Sequence, residues 1–272
     1  NESPYGPSPK AIEALAEASK RPNIYPDWFS VDLKTEFAKL HGLPDMMHVS
    51  TATGSSSVIN ILGEIFLNAG DEVILGDPSY EAFRDTVNVA GATPVMIPLD
   101  ADMKYDLDAM LGAITSKTKM IVVCNPNNPT GSLYSKESLL ELGKICKKHN
   151  LYLIVDEVYR EFCYSEDPYF SCLNLPDMEQ NVIIVDSVSK RYSLCGVRIG
   201  YLVSRNLDIM DAVLRYGQSR LCSPALGQVC TMGALKCSPE YFKKVKDEYL
   251  KRRNPLVNGL NKIPGVFCPM PN

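Results

Sequence analysis

Residues 119–131 read KMIVVCNPNNPTG, an apolar, largely β-branched run that breaks abruptly into amides, prolines and a glycine. A run with no polar alternation predicts a strand covered on both faces. The Asn-Pro and Pro-Thr-Gly steps end it with turn chemistry. The same grammar recurs along the chain. Residues 151–155 break into Asp156-Glu-Val-Tyr159, and residues 182–185 into Asp186-Ser-Val-Ser-Lys190. Further strands are expected at 71–75, 93–97 and 199–203. Between the strands the apolar positions fall at helical spacing, predicting helices at 9–20, 31–41, 55–67, 80–90 and 107–114. Another, capped by Ser135, should run to His149. Short buried strands alternating with helices define an α/β protein, its mostly parallel sheet flanked by helices.

After about residue 209 the strand pattern gives way to two helical stretches, 207–236 and 239–261, the second rich in Lys, Glu and Tyr. Residues 265–268 (GVFC) read as the start of a strand. The expected division is a large domain over 25–236. Residues 1–24 and 237–272 would form an N-terminal arm and part of a smaller α+β domain. A globular domain rarely stops at Pro269-Met-Pro-Asn272, so the chain is expected to be a segment of something longer.

Composition narrows the function. Of 272 residues 45% are apolar and 22% charged, an ordinary balance for a protein with a sizeable core. The net charge of −4 and the absence of like-charge blocks give no reason to expect nucleic acid or a membrane surface as partner. No apolar run approaches the length needed to span a bilayer, and the first residues carry no signal-peptide pattern. The nine cysteines are odd in number and lack C-x-x-C spacing or a matching histidine set. That speaks against a zinc site or a disulfide framework and for a reducing, cytoplasmic setting. Cys124 and Cys230, set in apolar stretches, read as small buried hydrophobes.

In open parallel sheets ligands bind at the carboxyl ends of the strands. Five loops should share that rim: Gly54-Ser-Ser-Ser57, Asp77-Pro-Ser-Tyr80, Asn125–Gly131, Asp156–Tyr159 and Asp186–Lys190. Taken singly, each has an ordinary reading. The prolines make turns, Asp156 caps a helix, Tyr80 packs, the serines open a helix, and Lys190 is solvated. Taken together they offer an amide, a carboxylate, a phenol, an amine and a phosphate cradle. A phosphorylated pyridine aldehyde would use every member. A lysine forms a Schiff base with the aldehyde. A carboxylate holds the ring nitrogen protonated, so that the ring accepts electrons from a substrate carbanion. Serines, helix amides and an arginine hold the phosphate.

At this point the sequence resembles a known family, the class I/II aminotransferases among the fold-type I pyridoxal-phosphate enzymes. The stretches that carry the resemblance are NESPYGPSPKAIEAL, ATGSSS, GDEVILGDPSYEAF, CNPNNPTG, IVDEVYREF and SVSKRYSLCGVRIGY, in family order over nearly the whole chain. The S-x-S-K followed eight residues later by Arg is the most specific of them. The resemblance implies pyridoxal 5′-phosphate as cofactor, with Lys190 as Schiff-base lysine and later proton shuttle. Asp156 would pair with the pyridine nitrogen, Asn128 and Tyr159 would bond the ring hydroxyl, and Tyr80 would stack on the ring. Ser55, Ser56, Ser187, Ser189 and Arg198 match phosphate-loop positions. Tyr25, in NIYPD, matches a tyrosine that reaches the phosphate of the neighbouring subunit, which implies a homodimer with shared active sites. No metal is expected.

The activity implied is transfer of an amino group between an L-amino acid and a 2-oxo acid by a ping-pong mechanism. NESPYGPSPKAIEAL, NIYPD and MKYDLDAML look most like the histidinol-phosphate branch, whereas DEVYREFCY and DSVSKRYSLCGVRIG look more like aspartate or aromatic aminotransferases. The donor therefore stays open. So do an amino-acid-phosphate decarboxylase, a C–S β-lyase and a non-catalytic sensing module, since all share the cofactor set. The arginine that clamps the substrate carboxylate in this family has no matching position in the chain.

Overall fold

The computed structural model describes residues 2–165 and 168–271; Asn1 and Asn272, which end two of the stretches discussed above, lie outside them. The chain opens with helices α1 (Pro9–Ala18) and α2 (Val31–Leu40), then strand β1 (Val49–Thr53) and helix α3 (Gly54–Phe66). There follow β2 (Glu72–Asp77), α4 (Glu81–Val89), β3 (Thr93–Pro98), α5 (Leu107–Gly112), β4 (Thr118–Cys124), α6 (Lys136–His149) and β5 (Tyr152–Asp156). Then come β6 (Val182–Ser187), the single turn α7 (Val188–Arg191), β7 (Ile199–Ser204), α8 (Leu207–Ser219), α9 (Ala225–Ala234) and α10 (Pro239–Leu260).

Among the described residues seven strands form one sheet in the order β1-β7-β6-β5-β4-β2-β3. β3, β2, β4, β5 and β6 run parallel, and β7 lies antiparallel to both β6 and β1. The apolar runs explain why two helical layers are needed. Along β4, Ile121 and Val123 join one core cluster, while Met120 and Val122 join the other. Along β6, Val182 and Ile184 face the first and Ile183 and Val185 the second. Helices α2, α6 and α9 cover the first face through Phe37, Leu142 and Cys230; α3, α4 and α8 cover the second through Ile59, Phe83 and Val213. Each such branched or aromatic side chain contributes roughly 1.5–3 kcal/mol by leaving water. Ser135 accepts a hydrogen bond from the Ser138 amide, the cap expected for α6.

Three expectations are corrected. Val49–Thr53 (VSTAT) is a strand that a search for apolar runs passes over, because it is an edge strand of mostly small polar residues. The helical stretch 207–236 is two helices: Leu221 takes a left-handed φ of 66°, and Pro224, the N-cap of α9, lacks the N–H to continue the first. Residues 265–268 form no strand; Val266 and Phe267 are exposed, at 41% and 76%, and find no neighbouring strand to pair with.

Candidate active site

The topology decides what meets at the rim. β4, β5 and β6 end there in parallel, and β1, two strands across an antiparallel β7, ends there too. The β1–β7 register pairs Thr53 with Ile199, so the next residues outward, Gly54 and Arg198, lie side by side. The contact is tight. A Cβ on Gly54 would come 2.5 Å from Arg198 Nη2, and Gly54 has a φ of 76°. A Cβ on Gly200 would lie 2.2 Å from the backbone of Gly54 and Ser55. At Gly200 backbone fills the space, and at Gly54 the left-handed φ and the Arg198 guanidinium disfavour a side chain, so glycine suits both positions. Replacing Gly200 with alanine is therefore expected to push the first turn of α3 away from β7. Thermal melting of the variant should show a lowered Tm.

Around this turn lies a cavity of about 190 Å³ lined by Ser55, Ser56, Tyr80, Asn128, Asp156, Tyr159, Ser189, Lys190 and Arg198, with Cys124, Val158 and Cys195 between them. Nine of the eleven residues singled out from sequence thus face one space. The other two do not. Ser187 is buried, its Oγ accepting from the Ser189 amide at 3.0 Å and lying 3.1 Å from the Ile199 carbonyl, so it caps α7 and ties it to β7. Tyr25 is 71% exposed and packs edge-on against Trp28, away from the cavity.

At one end of the cavity the first turn of α3 presents Ser55, Ser56 and backbone amides. The N-cap Thr53 makes no side-chain bond to those amides, and the helix dipole adds positive potential there. Arg198, in the left-handed region, donates from Nη1 to the Cys195 carbonyl at 3.0 Å, which holds its guanidinium over the turn. At the other end Asp156 is 4% exposed and accepts from the Val158 amide at 3.0 Å. Burial pushes its carboxyl up to about 7, with the charge on Asp186 adding to the rise and the Val158 bond and Lys190 opposing it. An acid so placed shares a proton readily with a base brought beside it. The cradle and the acid fit a phosphorylated heterocyclic base, the phosphate at α3 and a ring nitrogen at Asp156.

A wider, more open cavity of about 410 Å³ adjoins the first and shares Asn128, Tyr159 and Lys190 with it. Phe162, Tyr164 and Tyr249 form an aromatic wall, with Glu2 and Ser3 among its lining. Phe162 meets Tyr249 edge to face at 5.5 Å and Tyr159 at 6.3 Å. Asn127 braces the floor: its Oδ1 accepts from Ser79 Oγ at 3.1 Å, and its Nδ2 donates to the Pro78 carbonyl and to Thr130 Oγ1. That brace locks the loop bearing Tyr80 to the loop bearing Asn128.

Behind the rim stands a buried polar group that reading the loops did not find. Asp186, at 0% exposure, accepts from Arg191 Nη2 at 2.9 Å and Tyr201 hydroxyl at 2.8 Å. Tyr201 stacks on Phe37 at 3.8 Å, and His41 Nε2 lies 3.3 Å from its hydroxyl. Burial and the neighbouring Arg160 push His41 down to about 3, so it is neutral and its 3.8 Å approach to Asp186 is no ion pair. Glu157, also at 0% exposure, accepts from Ser171 Oγ and the Cys172 amide. An acid at the end of an apolar strand with an arginine five residues on was the available signal. Among the described residues no cluster of metal-ligating side chains occurs.

A lysine, a buried acid and an anion-accepting helix turn thus converge at the carboxyl rim of this sheet. Residues 1–272 match the family Aminotransferase class I and II, and the chain belongs to that family, whose members depend on pyridoxal phosphate. YugH of Bacillus subtilis is 36% identical over 221 residues, which is 80% of this chain and 56% of that protein. An aromatic amino acid aminotransferase of Cutibacterium acnes is 36% identical over 246 residues, 90% of this chain and 68% of that one. The structure of the aspartate aminotransferase from Rhizobium meliloti superposes with a TM-score of 0.90 at 26% identity, over 100% of this chain and 71% of that one. The chain thus spans 56% to 71% of the length of these three proteins.

Proposed function

We propose that the chain forms the cofactor-binding part of an aminotransferase that moves an amino group between an L-amino acid and a 2-oxo acid with pyridoxal 5′-phosphate. The observation that carries this reading is the convergence of Lys190, Asp156 and the α3–Arg198 cradle on one cavity. The bound cofactor would supply an aldehyde for the amine and an electron-accepting ring. Ser55, Ser56, the α3 amides and Arg198 would hold its phosphate, with Ser189 beside them and Ser187 fixing the turn from behind. Asp156 would hold the ring nitrogen's proton, Asn128 and Tyr159 would hold the ring oxygen, and Tyr80 would cover a ring face. Lys190 Nζ would anchor the cofactor and would serve as the base that moves the proton at the substrate Cα. Amino donor and amino acceptor use one site in turn, so ping-pong kinetics follow.

Other parts of the reading rest on separate support. The aromatic wall of the larger cavity, and the relatives named for aromatic amino acids, favour an aromatic donor. The exposed aromatics Tyr25, Trp28 and Phe29 favour a homodimer in which Tyr25 reaches the partner's phosphate site. The nine free thiols favour a reducing, cytoplasmic setting, and no described helix is long and apolar enough to cross a membrane. The division into a large domain over 25–236 and an arm plus small-domain part over the remainder belongs to the same reading.

The test is a spectrophotometric titration of the purified full-length protein with pyridoxal phosphate, followed by a screen of amino acids against 2-oxo acids. Stoichiometric chromophore formation and parallel double-reciprocal plots are expected, with Tyr or Phe the best donors. Carbon dioxide release would instead reveal a decarboxylase, and sulfide release a C–S lyase. A protein that binds the cofactor but turns over none of these is a sensing module.

A further inference from the structure

Lys190 sits on α7, a single turn of four residues, Val188–Arg191. A turn this short has no stability of its own, since helix formation begins to gain only after its first turn is closed. Something else must fix where the amine points. On one side the cap from Ser187 Oγ to the Ser189 amide fixes the start of the turn. On the other side, the last residue of α7, Arg191, is 2% exposed and reaches back across the turn to Asp186 near the end of β6. Its Nε also faces Glu161 Oε1 at 3.1 Å, close enough for attraction although outside hydrogen-bond alignment. Two charges this deeply buried lose their hydration, which their pairing must offset. A hydrophobic pair would close the core at less cost, so the pair's value lies in geometry.

We infer that the buried Asp186–Arg191 pair, steadied by Tyr201, is a positioning device that holds the Lys190 turn in register with the cofactor cavity. Asp186 belongs to β6, Arg191 to α7 and Tyr201 to β7, so the three lock the turn to two adjacent strands. The phosphate end of the cavity is fixed by other means, through the β1–β7 register and the Gly54–Arg198 contact. Loosening the pair should therefore move the lysine amine while leaving the anion cradle in place. This separation makes the inference testable. It rests on the cofactor reading given above.

The probes are pyridoxal phosphate, which bonds to the lysine, and 4′-deoxypyridoxine phosphate, which offers the same phosphate and ring but no aldehyde. Dissociation constants for both are measured on the full-length apoprotein and on two variants. Arg191→Met removes the cation at similar bulk. Tyr201→Phe removes only the hydroxyl and keeps the stack on Phe37, so it folds even if the first variant does not. The wild type should prefer the aldehyde strongly. That preference is expected to fall about tenfold in Arg191→Met and about threefold in Tyr201→Phe, with the analogue's affinity unchanged within about twofold. A merely structural pair would lower Tm and leave the preference intact, or weaken both ligands together, and either result overturns the inference. A wild type that binds both probes alike overturns the cofactor reading itself, and this inference with it.

Discussion

Turnover is expected to fall by at least about 10⁴-fold when Lys190 is replaced by alanine, since the proposed reading makes it both covalent anchor and proton carrier. The fold should survive. Lys190 is only half-buried and lines two cavities, so its truncation leaves no hole in the core. The cap from Ser187 and the bond from Arg191 to Asp186, which hold the turn, are untouched. Stability is expected within about 1 kcal/mol of wild type by thermal melting. A second variant separates charge from chemistry. Lys190→Arg keeps a cation at the same place, yet a guanidinium does not lose its proton in proteins and neither attacks an aldehyde nor carries a proton from Cα. Both variants should therefore be equally inactive in stopped assays with the best donor, and neither should give the chromophore of a covalently held cofactor. If Lys190→Arg retains more than about a tenth of the activity, Lys190 acts through its charge and the assigned role is wrong.

The parts of this molecule visible in the sequence are those written in contiguous residues. The strands at 119–124, 151–155 and 182–185 are buried on both faces, so their apolar runs announce them and the polar residues after them mark the rim. Asp156, Asn128 and Lys190 were legible for that reason, each standing at or just beyond the end of such a run. What was not legible depends on pairing across the sheet. β1 carries its information in hydrogen bonds to β7, not in hydrophobicity. Gly200 looks like any glycine until the register sets it against the backbone of Gly54 and Ser55. Ser187 and Ser189 are alike in sequence; only the turn geometry makes one a cap and leaves the other lining the cavity. The Asp186–Arg191–Tyr201 group draws on three elements, and a scan for exposed rim chemistry reads past a charge that ends up inside.

Asp156→Asn should separate function from stability. In the cofactor-free chain the Asp156 carboxyl, ordinarily near 3.8, is raised to about 7 by burial. The folded state therefore favours the protonated acid, and between those two pH values it binds more protons at this site than the unfolded chain. Stability from this group is fully present below pH 3.8 and is lost as pH rises toward 7, by about 1.4 kcal/mol per pH unit at most. Asparagine mimics the neutral acid, keeps an oxygen for the Val158 amide and has nothing to ionise. The variant apoprotein should thus melt with wild type at pH 4 and several degrees above it at pH 8, the gap opening between those values. Glu157 titrates in the same range but is present in both proteins, so the difference isolates Asp156. Adding pyridoxal phosphate at pH 8 should reverse the order, because the ionised carboxylate then gains a protonated ring nitrogen and the amide does not. Turnover in the variant is expected to drop about 10²–10³-fold for the same reason. A variant that melts below wild type at pH 8 without cofactor would falsify the buried, raised acid. One that melts higher yet keeps full activity would leave Asp156 buried as described but without its role at the ring.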